Sequence, residues 1–311
     1  MFGELVIAYL FLGGMGAGAL AIGSLGTLLV PRDEVAVRRS TINGRATRTV
    51  LYVPAPYQKL FGPTLAASFI ALAIGSIALS VDLGQTNRAE LLFLLPQPTF
   101  MTLGAYSLAL ALALCAPLAA AWALPHLHLR YWVVRTLAVL AVADGVVVML
   151  YTGLLLSDMQ AIPLWNTPWL PPLFVASALS CGSALMLGTS VFTGAIGLFE
   201  SSIRRLMKLD IVLLVVEAVL AACFIAASWK APFAVAAVGS ASLLHGELAP
   251  VFLAGFVGCG IGIPVLAEGY ELAARGHYQV ASLIASTAVF VGGIALRYSI
   301  VMAGIRPEVW I

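Results

Sequence analysis

The chain has 311 residues, of which 61% are hydrophobic and 10% charged, with a formal net charge of +2 and a mean hydropathy of +1.03. A water-soluble domain carries about 25% charged residues, so these charges are too few to cover a water-facing surface. The near-neutral balance, with no basic block interleaved with aromatics, gives no sign of a nucleic-acid partner.

The apolar residues fall in runs of bilayer-spanning length rather than in stripes. Backbone groups in hydrocarbon must be satisfied within the segment, which predicts helices, and the short alternating segments of a β-barrel are missing. The expected fold is an all-α integral membrane protein in the lipid bilayer. Its eight transmembrane helices are expected at roughly 5–30, 61–81, 100–123, 132–157, 171–199, 209–229, 248–272 and 279–304.

The start, MFGELVIAYLFLGG, lacks the basic region of a signal peptide, carries Glu4, and continues as an apolar run to Val30. It is therefore read as a retained first helix, although the small residues Ala17 and Ala19 leave cleavage open as an alternative. Tyr9 lies about one turn into it, and Gly14-x-x-x-Gly18 suits close helix packing. The connection after it carries Arg32, Arg38, Arg39, Arg45, Arg48 and Lys59. Asp82 and Arg88 border the second helix, with an interfacial ion pair as their simplest role. In the fourth helix Asp144, Tyr151 and Asp158 follow at intervals of seven residues, about two turns, and so share one face. They form a polar string from mid-membrane to the surface, although Asp158 is better read as an exposed helix end, and Tyr151 and Asp144 as the functional members. Glu217 lies in the sixth helix, Gly258-x-x-x-Gly262 and Glu268 in the seventh, and Arg297 in the eighth. Ionisable groups at such depth cost several kcal/mol and are functional candidates. An Arg there needs an acidic partner, a carbonyl or a water cavity, and paired structural charges compete with a proton path.

Lys and Arg gather in the odd connections, which also hold Arg130, Arg204, Arg205, Lys208 and Arg275. The odd connections are therefore expected in the cytoplasm, and both termini (N-out, C-out) outside with connections 82–99, 158–170 and 230–247. The outer segments LFLLPQP (92–98) and IPLWNTPW (162–169) look suited to docking a partner. Trp165 and Trp169 fit that role or an aromatic belt at the lipid interface.

The four histidines, His126, His128, His245 and His277, lie in or beside connections. A membrane haem with paired imidazoles needs them inside facing helices. Cys115, Cys181, Cys223 and Cys259 sit singly in four apolar runs, with no CxxC pair. P-loop, dinucleotide-fold, HExxH and nucleophile-elbow motifs are missing. The chain is expected to bind no haem, metal or nucleotide itself.

AYLFLGGMGAG (8–18), DLGQTNR (82–88), PQPTFMTLGAY (96–106), YTGLLLS (151–157), PLWNTPWLPPLFVASALS (163–180) and GGIALRYSIVMAG (292–304) resemble the NrfD/PsrC polysulfide-reductase family of membrane anchors. The segments follow in the family's order along nearly the whole chain. The resemblance implies two four-helix bundles, divided here as 1–160 and 161–311. It implies a quinone site (menaquinone or ubiquinone) in the outer half of the first bundle. It also implies an extracytoplasmic iron–sulfur subunit docked over that site, a molybdopterin catalytic subunit beyond it, and residence in a prokaryotic cytoplasmic (inner) membrane. Quinone contacts fall on Tyr9 and Tyr151, with Asp158 beside them. Relatives more often carry His or Asn at the first of these positions. Asp144, Glu217 and Glu268 become proton-transfer candidates, and Asp82, Arg88, Trp165 and Trp169 become docking candidates. Two other readings stay open: a secondary transporter, which would show inverted repeats and paired broken helices, and a passive anchor without a quinone site.

Overall fold

An amide buried in hydrocarbon has no water to bond, so a long apolar run closes its own hydrogen bonds as a helix. The computed structural model describes residues 4–40, 47–82, 99–124, 126–127, 129–159, 161–230, 234–273 and 278–305. Among them, eight helices are long and apolar enough to cross a membrane: Leu5–Leu29, Ala55–Val81, Phe100–Ala123, Tyr131–Ser157, Leu170–Phe192, Glu200–Trp229, Pro250–Ala273 and Gln279–Ile305. These are the first to eighth spans, and the chain is a multi-pass membrane protein.

Two boundaries differ from the expectation. The fifth span stops at Phe192 rather than near residue 199. Gly194, at φ 68°, adopts the left-handed conformation that ends helices and that only glycine takes without strain. The amides of Thr193 and Gly194 bond back to Thr189 O and Val191 O, each at 3.1 Å. The sixth span then begins at Glu200, ahead of its apolar run, because its polar opening turns lie at the membrane edge.

The first long connection also holds structure that hydropathy did not show. Strands β1 (Ala36–Ser40) and β2 (Thr47–Leu51) pair antiparallel, with Val37 opposite Val50. The Leu51 amide donates to Leu129 O at 2.8 Å, and Gln58 Nε2 donates to Ala123 O at 2.9 Å. Thr193 Oγ1 donates to Lys59 O at 2.9 Å, and Arg204 Nη2 to Leu272 O at 2.8 Å. These bonds gather the basic connections on one face. At the opposite end a shorter apolar helix, Val235–His245, packs against the eighth span.

The first span packs most extensively on the second, fifth and fourth, and the third joins the second to the fourth. In the other half the fifth contacts the sixth and eighth, and the seventh packs on the eighth and sixth. The first and fifth spans are the buried axis, with 78% of each apolar window inside the protein against 22% for the seventh. They cross with backbones touching. A Cβ on Gly18 would stand 2.0 Å from Ala178 O, and one on Gly182 2.3 Å from the Gly18 carbonyl carbon. Only small residues permit that approach.

The glycine pair read from the seventh span is corrected by the structure. A Cβ on Gly258 or Gly262 would meet nothing nearer than 3.4 Å and 3.5 Å, in each case a carbonyl of the same helix. The close contact is made instead by Gly260, where a Cβ would lie 2.5 Å from Gly292 Cα on the eighth span. The segment Pro250–Gly262 is wound as a π-helix, and the Ile263 amide bonds Gly258 O. That wider winding breaks the α-helical spacing on which the Gly-x-x-x-Gly reading relied.

Gly260→Ala should therefore destabilise the protein by about 1–3 kcal/mol, the usual cost of overpacking. Gly258→Ala should leave stability within about 0.5 kcal/mol, as for a substitution away from packed features. Thermal unfolding of the two purified variants checks this, and equal losses would contradict the assignment.

Candidate functional site

Tyr9 on the first span and Tyr151 on the fourth meet inside the first half of the chain. Both are fully buried. Their ring centroids lie 6.4 Å apart with planes tilted by 54°. The hydroxyls approach one another, yet neither makes a hydrogen bond of ordinary geometry among the described residues. Gly104 on the third span makes the room: a Cβ there would stand 1.8 Å from Tyr151 Cζ. Leaving one buried polar group unpaired costs about 1–3 kcal/mol. With only each other at hand, the two hydroxyls leave at least one donor and one acceptor unused, and a polar group from elsewhere fits there. A phenol both donates and accepts, so the pair matches a ligand carbonyl or hydroxyl equally well.

Asp144 lies on the same helix as Tyr151, two turns towards the basic face. It is buried, and its Oδ2 has no partner among the described residues. Asp158, the third member of the string, is exposed and caps the helix, its amide donating to Leu154 O and Leu156 O. The structure thus brings Tyr9 and Tyr151 together and leaves Asp158 outside, at the membrane surface.

The docking candidates separate in the same way. Trp165 is fully buried, and its indole Nε1 donates to Ile300 O at 2.9 Å. It ties the connection before the fifth span to the eighth span and presents no surface to a partner, which corrects its reading as a docking residue. A buried indole finds an acceptor within the fold, and sequence alone does not show that acceptor. Trp169 is 39% exposed at the start of the fifth span. Asp82 closes the second helix, but its side chain and the whole of Arg88 lie outside the described residues.

A second polar region runs through the fifth to eighth spans. Arg297 is fully buried and reaches across three helices. Its Nε donates to Leu10 O at 3.0 Å, and its Nη1 donates to Ser177 Oγ at 3.1 Å and to Gly293 O at 2.9 Å. The guanidinium carbon lies 5.7 Å from the Phe11 ring centroid and 5.5 Å from that of Phe174, within cation–π range. Glu217 is buried nearby and shares Ser177 as a partner. Carbonyls and an acidic neighbour, two of the three kinds of partner that an intramembrane Arg requires, are thus both in place.

Beyond Glu217, towards the basic face, stand Asp210, Glu268 and Glu271, all buried. Ser183 Oγ donates to Asp210 Oδ1 in a short bond. The Glu268 carboxyl faces Asp210, with no donor to either of its oxygens among the described residues. Glu271 accepts from Ser282 N at 3.0 Å and from Ser282 Oγ at 2.8 Å. Sequence reading singled out Glu217 and Glu268 but not Asp210 or Glu271. Those two lie at the ends of apolar runs, where a charge usually faces water. The signal that finds them is spacing: Asp210 and Glu217 are seven residues apart, and Glu268 and Glu271 are three apart, each pair on one helix face.

Among the described residues no group of three or more His, Cys, Asp and Glu is arranged to hold a metal ion. The four cysteines are free.

The family model described as "Polysulphide reductase, NrfD" matches residues 1–307. The C subunit of the polysulfide reductase of Wolinella succinogenes is 31% identical over 182 residues, which cover 58% of this chain and 57% of that protein. The chain thus aligns with just over half the length of this curated relative. The family match runs through both halves, including the paired tyrosines and the arginine-centred region, and the chain belongs to the NrfD polysulphide reductase family.

Proposed function

We propose that this chain is the quinone-reactive membrane anchor of a respiratory oxidoreductase complex, with Tyr9 and Tyr151 holding the quinone. The observation that carries this reading is the pair of buried phenol hydroxyls that have only each other for company between the first, third and fourth spans. The family match and the similarity to a polysulfide reductase subunit support it. Spans one to four (1–160) would form the quinone-binding bundle and spans five to eight (161–311) the second bundle. In an N-out, C-out orientation in the prokaryotic cytoplasmic membrane, the tyrosines lie in the outer half. An extracytoplasmic iron–sulfur subunit then docks on the face carrying connections 82–99, 158–170 and 230–247, with a molybdopterin catalytic subunit beyond it. Trp169 is the docking residue exposed there, and Asp82 and Arg88 remain docking candidates.

A bound quinone and quinol couple supplies two electrons and two protons. The work of this chain is to bind, orient and handle protons. Tyr9 Oη and Tyr151 Oη hold a ring oxygen, donating to a carbonyl or accepting from a hydroxyl. The buried surroundings keep water out and strengthen those bonds. Asp144, with its free Oδ2, is placed to take a proton released at the tyrosine end. Glu217 and Glu268 are proton-transfer candidates on the cytoplasmic side, across Arg297 from the tyrosines.

Tyr151→Phe and Tyr9→Phe should each lower quinol-linked turnover of the assembled complex about three- to tenfold, the worth of one hydrogen bond. The partner's activity with artificial dyes should stay as in the wild type. Gly104→Ala, by displacing the Tyr151 ring, should give a loss at least as large as Tyr151→Phe. Unchanged quinol kinetics in all three variants would favour a passive anchor. Asp144 acts here as a base in its ionised form, so wild-type turnover should rise with pH through its titration. Asp144→Asn should lose that rise, and an identical pH–rate profile would remove Asp144 from the mechanism.

A further inference from the structure

Most of the buried polar groups in the second half have their donors or acceptors. Arg297 is bonded to two carbonyls and a serine, and Glu271 takes both donors that Ser282 offers. Arg297 Nη2 and the hydroxyls of Thr167, Ser286 and Ser299 lack partners among the described residues, but the carboxylates left without donors are those where Asp210 on the sixth span meets Glu268 on the seventh. Asp210 Oδ2 and both Glu268 oxygens make no hydrogen bond of ordinary geometry among the described residues; the Ser180 hydroxyl, on the fifth span, stands beside Asp210 and can donate to it. Asp210 is fully buried and Glu268 is 1% exposed.

Two carboxylates cannot bond each other, because both only accept. Two buried negative charges in contact would also repel strongly in a medium of low dielectric. One added proton removes both difficulties. It turns one group into a donor for the other and leaves the pair with a single negative charge, as in other carboxyl dyads.

We infer that Asp210 and Glu268 form a one-proton acid pair, a proton-binding site that exchanges with the basic-connection face and is closed towards the first span by Arg297. The groups around it fix that direction. Asp210 faces Ser183, Ser180 and Glu268, and Glu268 faces Asp210 and Glu271. Glu271 lies two residues from the end of the seventh span, beside Leu272, whose carbonyl is held by Arg204. A carboxyl thus stands between the pair and that face. On the other side come Glu217 and Ser177, then the guanidinium of Arg297 bonded to Leu10 O, next in sequence to Tyr9. A fixed positive charge opposes the passage of a free proton. The pair therefore takes up and returns its proton on one side. The transfer balances simply: the O–H bond on one carboxyl breaks as one forms on Glu271 or on water, and no electrons move. This inference goes beyond the quinone reading and stands whether or not the tyrosine pair binds quinone.

A membrane-soluble carbodiimide is the probe, because it adds to a protonated carboxyl in an apolar site and spares ionised ones. Applied to the intact complex in membranes and followed by peptide mass spectrometry, it should modify Glu268 or Asp210, with one label per chain shared between them. Tyr151→Phe should label as the wild type does, which separates failure of the acid pair from failure of the quinone site. In Glu268→Gln, label on the seventh-span peptide should disappear. Because that variant could disturb folding, a variant-free arm accompanies it: raising the pH on the basic-connection side of oriented vesicles should slow wild-type labelling, whereas raising it on the other side should not. Absence of label at both residues in a complex with normal quinol-linked turnover would overturn the inference. So would two labels on one chain, or protection by sodium ions, which would make the site one for a metal cation.

Discussion

The guanidinium of Arg297 joins the two halves of this protein. It leaves the eighth span, bonds the Leu10 carbonyl of the first, and takes Ser177 of the fifth. The aromatic rings of Phe11 and Phe174 cover it. A charge at this depth needs carbonyls, an opposite charge or a water cavity; here Nε and Nη1 are bonded, while Nη2 has no partner among the described residues. The first and fifth spans must therefore run in contact, and Gly18 and Gly182 allow it. That crossing sets where Tyr9 stands, one residue from the bonded carbonyl. The tyrosine pair on one side and the carboxyl region on the other are both referred to this one cation.

Hydrophobicity carried most of the architecture into the sequence. Eight apolar runs become eight spans because hydrocarbon leaves no other way to satisfy their amides. What hydropathy does not encode is local geometry. Gly194 ends the fifth span earlier than its apolar run does, because a left-handed residue stops a helix whatever its surroundings. The hairpin of Ala36–Ser40 and Thr47–Leu51 lies in a charged connection, where no apolar period announces it. The Gly260–Gly292 contact was hidden for a related reason: π winding changes which residues share a face.

The candidate site was legible in proportion to how isolated its residues are. Tyr151 and Asp144 stand out on an apolar helix two turns apart, and the structure buries both. Tyr9 joins Tyr151 through packing between helices, which sequence spacing cannot reveal. Trp165 shows the converse, since an aromatic in a polar connection looks exposed until its indole finds Ile300 O. Asp210 was passed over because it follows the basic opening of its helix, RRLMKLD, and reads as part of that solvated turn. Burial between the fifth, sixth and seventh spans is a tertiary fact.

In the proposed function a quinone ring oxygen sits between Tyr9 and Tyr151. Photolysis of the assembled complex in its membrane with a photoreactive quinone analogue tests it most directly. Labelled peptides are expected from the first and fourth spans, around Tyr9 and Tyr151, with the label lost when excess unmodified quinone competes. Label confined to residues 161–311, or label that excess quinone does not displace, would contradict it.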